Sequence, residues 1–165
     1  MSSYFETFNL ICGILLKQGK RATQSATKFP GGHVFEGAEG TLSPIACCLP
    51  KHVIKRLDPH HPMGEKTLRE LRHAGHSSEV VREFLYAYEQ DVDKWPVLFA
   101  QIAITIGMVM DANNVKVIRE NIVAFERVRR EEKEKEAKRE AKRAKSATDT
   151  LSRNNQKGLL EPKQS

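Results

Sequence analysis

The chain is poor in the features that assign a function quickly. Cysteine is scarce, three in 165 residues. The number is odd and the spacing is no framework, which argues against a disulfide scaffold and for reduced thiols in an intracellular protein, cytoplasmic or nuclear. No Asn-x-Ser/Thr acceptor occurs, in keeping with that expectation. Long apolar runs are lacking as well. The longest, 97–110, covers 14 residues and contains Gln101, where crossing a bilayer takes roughly 20. It predicts a buried core helix. The first apolar stretch is interrupted by Glu6, Thr7 and Asn9 with no basic leader before it, which argues against a secretory signal.

What is present points to one packed domain with tails. Hydrophobic residues make up 39% and charged residues 29% of the chain, with ten glycines and seven prolines. That composition supports a core without metals or disulfides. Lysine and arginine number 27 against 21 acids, a formal charge of +6 and a pI of about 9.3. This balance favours polyanionic partners, nucleic acid first, then an anionic membrane surface.

Periodicity predicts an all-α fold, a compact bundle of about five to six helices with a long N-terminal loop and an extended charged C-terminal helix. Residues 4–18 form the first helix, opened by a Ser3/Glu6 capping box and closed by Gly19. Its Phe8, Ile11, Cys12, Leu15 and Leu16 share one face. The segment 22–42 shows no period and holds four glycines and Pro30, the signature of a long loop. Ser43 and Pro44 start a short helix that Pro50 interrupts. Residues 65–74 and 79–90 read as helices joined at Gly75, with Ser77 or Ser78 as cap.

The last helix carries an apolar seam of Val115, Ile118, Ile122 and Phe125, then turns almost wholly polar. Across 126–145 there are ten lysines and arginines against six glutamates, and pairs such as Glu131/Lys135 and Glu134/Lys138 can hold a solvated helix. The expected organisation is a core domain at 1–128 that includes the 22–42 loop, a charged helix at 129–146, and a disordered tail at 147–165.

Catalytic signatures are weak. Gly13 to Lys20 has five residues between its glycines where a phosphate loop has four, and Arg21 stands where that loop needs Ser or Thr. Cys47, Cys48 and His52 offer ligand types, but adjacent cysteines depart from zinc spacing and Pro50 intervenes. Buried thiols are the plainer reading, so neither metal nor cofactor is expected. The Leu68–Leu85 segment has the outline of a helix-turn-helix, yet its second helix presents Glu79, Glu83 and Glu89 with Arg82 alone, a surface that phosphates would repel.

The order of glycine turn, Val-Val helix, Trp95 and an apolar helix ending in Asp-Ala-Asn resembles the early helices of phlebovirus-type nucleoproteins over roughly 45 residues. These residues are generic, and neither fold nor site is carried over from the resemblance.

Cations form three clusters: Lys17, Lys20, Arg21 and Lys28; Lys51, Lys55 and Arg56; and Arg127, Arg129, Arg130, Lys138, Arg139, Lys142 and Arg143. Such runs are either solvated faces or a track for phosphates. The sequence therefore predicts a non-enzymatic protein that binds RNA or a ribonucleoprotein surface with little sequence preference, with 29–35 available for base stacking. The alternative is a scaffold or adaptor that self-associates or binds a protein through its first and last helices. A peripheral membrane contact by 4–18 is a third reading.

Overall fold

The structure is a computed structural model that describes residues 2–23, 31–107 and 112–160. Those residues are all-α, with no named strand among them. Seven α-helices are described: α1 (Ser2–Gln18), α2 (Pro44–Cys48), α3 (Lys51–Ile54), α4 (Glu65–His73), α5 (Ser78–Tyr88), α6 (Trp95–Thr105) and α7 (Ala112–Leu160). The chain divides into two units, Met1–Arg129 and Arg130–Ser165.

Local chemistry explains the boundaries. Gly19, at φ 63, ends α1 in the left-handed conformation and donates its N–H to the Leu15 carbonyl. Ser43 caps α2 by accepting from the Ala46 N–H, and Pro44 occupies its first turn. Pro50 separates α2 from α3. Gly75, at φ 78, turns the chain between α4 and α5, and Ser77 accepts from the Val80 N–H. A short 3-10 turn at Ala38–Gly40 and an antiparallel bridge between Glu36 and Leu42 order the described part of the 22–42 segment. Residues 24–30 of the expected loop lie outside the described residues.

The core of the first unit sits where α1, α2, α5 and α6 meet. Phe8, Ile11, Leu15 and Leu16 of α1 are closed off from water, as are Val80, Val81 and Phe84 of α5. Thr7 is buried with them, its hydroxyl accepting from the Ser77 N–H and touching His76 Nδ1 at 3.3 Å. An aromatic chain crosses this core: Phe8 against Phe84, Phe84 against Phe99, Phe99 against Trp95, and Trp95 stacked on Tyr88. The main apolar face of α1 is spent here, while Tyr4 and Leu10 stay exposed on the same helix.

Two expectations are corrected. Over its described part, 97–107, the apolar run is not enclosed on all sides, and 108–110 lie outside the described residues. Trp95, Phe99, Ile102 and Ala103 are buried, but Val97 is 63% and Ile104 74% exposed. Helix α6 leans on α5 and α1 along one side and leaves its outer side open. The second concerns the tail expected at 147–165: α7 continues past 146 to Leu160, and 161–165 lie outside the described residues. No proline occurs between Pro96 and Pro162 and the last glycine is Gly158, so nothing breaks the backbone ladder over that stretch. Thr148 and Thr150 return their hydroxyls to the carbonyls of Ala144 and Ser146 and so keep within the helix.

Helix α7 belongs to the core only through its first turns, where Phe125 and Asn121 are buried and Ile118 and Ile122 pack beside them. Between Arg130 and Gly158 the side chains are exposed but for half-buried Glu132. Ending the chain after Arg130 is therefore expected to shift the core's melting temperature by no more than about 2 °C. Differential scanning calorimetry of full and shortened chains checks this, and a larger drop would mean that the distal helix supports the core.

Candidate nucleic-acid interface

The first basic cluster gathers at the end of α1. Lys17 and Arg21 are exposed, and Lys20 is half-buried in an ion pair with Glu39 at 2.6 Å. Gln18 holds the neighbouring strand-like segment in place: its side-chain amide donates to the Lys20 and Leu42 carbonyls and its oxygen accepts from the Leu42 N–H at 2.7 Å. Immediately beyond, the Ala22 N–H donates to the Tyr88 hydroxyl at 2.6 Å. Burial pushes the Tyr88 phenol up to about 12, so it stays protonated and its oxygen is a lasting acceptor.

Helix α7 meets this same end. A Cβ placed on Gly19 would stand 2.7 Å from Val128 Cγ1 and 3.9 Å from Arg129 Cδ, so the glycine lets the two helices approach. The fold thus brings Lys17, Lys20 and Arg21 to the stretch of α7 that carries Arg127 and Arg129. Arg127 is exposed. Arg129 is half-buried and pairs with Asp93 at 2.9 Å. Sequence reading had no signal for either ion pair, because Lys20–Glu39 and Arg129–Asp93 join groups 19 and 36 positions apart. Lys28 lies outside the described residues.

The second cluster stands on α3 and the turn after it, with Lys51, Lys55 and Arg56 all exposed. It is tied to α4, since Lys66 donates to the Arg56 carbonyl at 2.6 Å. An open cleft of about 490 Å³ beside it is lined by Arg56, Asp58, His61, Gly64, Glu65, Lys66 and Thr67. Acids alternate with cations there, so the cleft is not a purely anion-binding surface. The His61 ring and the His60 N–H hold the Asp58 carboxyl below its ordinary range.

In the second unit, Arg130, Lys138, Arg139, Lys142 and Arg143 are exposed along the helix. The stacking surface expected at 29–35 is corrected at its far end: Phe35 is buried in the core against the His33 ring, and Phe29 lies outside the described residues. The outer side of α5 carries exposed Glu79, Glu83 and Glu89, and Tyr4 donates to Glu79 at 2.6 Å. Exposed Arg82 stands among these acids, and Lys66, Arg69 and Arg72 are exposed on α4.

The thiols are inert by environment. Burial pushes Cys12 and Cys48 up to about 12 and raises Cys47 further, with Cys48 adding to the effect on its neighbour, so none offers a thiolate at neutral pH. Among the described residues no three histidine, cysteine or carboxylate side chains converge as a metal site, and no helix is long and apolar enough to cross a membrane. Comparison with family models, with curated proteins and with solved structures finds no match for the chain.

Proposed function

We propose that the chain is a non-enzymatic binding protein for RNA or a ribonucleoprotein surface, engaging phosphates through lysine and arginine with little sequence preference. The observation that carries this reading is the solvated state of its cations. Ten lysines and arginines stand against six acids over 130–160, on a helix that buries nearly nothing. Lys17, Arg21 and Arg127 add exposed charge around the end of α1. Lys135 is paired with Glu132 at 3.2 Å, and exposed cations on an ordered scaffold can exchange counterions for phosphates.

The test is binding of a short single-stranded RNA, followed by fluorescence anisotropy over a salt series. Replacing Lys17, Arg21 and Arg127 by glutamate is expected to weaken binding and to flatten the slope of log affinity against log salt by about two units, since each phosphate contact contributes about 0.7. Lys20 and Arg129 are spared because each is already engaged with a carboxylate, Glu39 and Asp93. Absence of binding at low salt, or an unchanged slope in the triple variant, would refute the reading.

The scaffold alternative rests on a different feature, the exposed apolar groups Val97, Ile104 and Val123, which suit a protein partner better than a phosphate. Its mark would be self-association in analytical ultracentrifugation that Ile104→Lys abolishes.

A further inference from the structure

The distal part of α7 is not evenly charged around its axis. At 100° per residue, the cations between Lys135 and Lys157 fall within an arc of about 160°. Lys135, Lys142 and Arg153 mark its centre, Lys138 and Lys145 one edge, and Arg139, Arg143 and Lys157 the other. All are exposed, and Asp149 is the one acid inside the arc. The opposite side carries Ala137, Ala141, Ala144 and Leu151. The track extends over about 33 Å of continuous helix.

From this arrangement we infer that the distal helix lies along a groove of double-stranded nucleic acid, its two edges of cations reaching the two phosphate strands that border the groove. The inference rests on the nucleic-acid reading above and narrows its ligand. A cationic arc with two edges fits a groove with charge on both walls, and an α-helix is of a width that a duplex groove admits. A single strand is held differently, by bases stacked on aromatic rings beside a basic groove, and no aromatic residue occurs over 126–160. An anionic membrane would require bulky apolar groups opposite the cations. Alanines and one leucine do not supply them.

The mode of contact is backbone tracking. The arc holds no asparagine, and glutamine enters it only at Gln156, so amide groups that read base edges are nearly absent from it.

The experiment separates arrangement from total charge. In the full chain, Lys138, Lys142 and Lys145 exchange places with their neighbours Ala137, Ala141 and Ala144, giving A137K, K138A, A141K, K142A, A144K and K145A in one variant. Composition, net charge and helix propensity are unchanged, and circular dichroism verifies the helix. Parent and variant are titrated by anisotropy with a duplex RNA, a duplex DNA and a single-stranded RNA of equal length, and with phosphatidylserine vesicles. The parent is expected to prefer at least one duplex over the single strand, and the exchange to weaken duplex binding about tenfold while altering single-strand binding less than about twofold. The two duplex arms tell A-form from B-form geometry.

Equal duplex binding by parent and variant overturns the inference. So does a parent that binds the single strand as tightly as either duplex, and that outcome leaves the proposed function standing. Binding to vesicles without binding to any nucleic acid defeats both.

Discussion

Trp95→Ala is expected to lower the melting temperature by more than about 10 °C, the largest effect of any single substitution proposed for this protein. Trp95 is wholly buried, stacked between Tyr88 at 5.5 Å and Phe99 at 5.7 Å. Removing it opens a cavity between α5 and α6 and costs about 3–5 kcal/mol, a large share of the roughly 5–15 kcal/mol that holds a domain together. The loss would also loosen Tyr88, whose hydroxyl anchors Ala22 at the end of the first basic cluster. Trp95→Phe tests the origin of the effect. The indole N–H has no hydrogen-bond partner among the described residues, so phenylalanine loses ring volume but no bond, and its cost should be well under half that of alanine. Urea unfolding followed by circular dichroism measures both. Equal losses for the two variants would show that the ring's volume is not what matters.

The second large effect is acid sensitivity centred on His33. Burial pushes this imidazole down to about 4, and its Nε2 has no partner among the described residues. Its backbone N–H donates to the Pro59 carbonyl at 2.7 Å and its ring meets Phe35 edge-on at 4.9 Å, so the ring is held where a proton is unwelcome. The unfolded chain protonates near 6.5, above the folded value. Stability is therefore complete above that pH and falls as pH drops from about 6.5 towards 4, because only the unfolded chain takes up the proton there. A half-buried group loses part of this to solvent, leaving about 1–3 kcal/mol over the window. His76, lowered by burial as well, adds to the same trend. Chemical unfolding at pH 7 and near pH 4.5 should show the loss in the parent and a clearly smaller one in His33→Phe. An identical loss in the two would assign the acid sensitivity to other groups.

Much of the fold was legible because its signals are local. Gly19 and Gly75 end helices, Ser43 and Ser77 begin them, and Pro50 divides a short pair, each through backbone chemistry confined to a few residues. The apolar faces of α1 and α5 follow from helical spacing alone. The run at 97–110 shows where such reading stops. Composition establishes that these residues can be buried, but which of them are depends on how many neighbours the helix acquires, and α6 acquires them on one side. The tail failed for a related reason. A polar segment with few apolar groups reads as disordered when a packed core is the criterion, whereas here α7 carries on to Leu160 through residues that propensity disfavours, Thr148, Thr150, Asn154 and Asn155 among them, with no proline to stop it.

The candidate site divides along the same line. That the chain is basic, that its cations fall in three clusters and that 126–145 is a charged helix were settled by residue types and their spacing, since charge and helical period are properties of the chain itself. Whether the clusters meet was decided by tertiary contacts. The glycine that lets α1 approach α7 places Lys17 and Arg21 beside the Arg127–Arg129 stretch. The same packing commits Lys20 to Glu39 and Arg129 to Asp93, and it carries Phe35 into the core and out of reach of any base. Pairs 19 and 36 positions apart leave no trace in local pattern, because the free energy that joins them comes from the packing of helices between them.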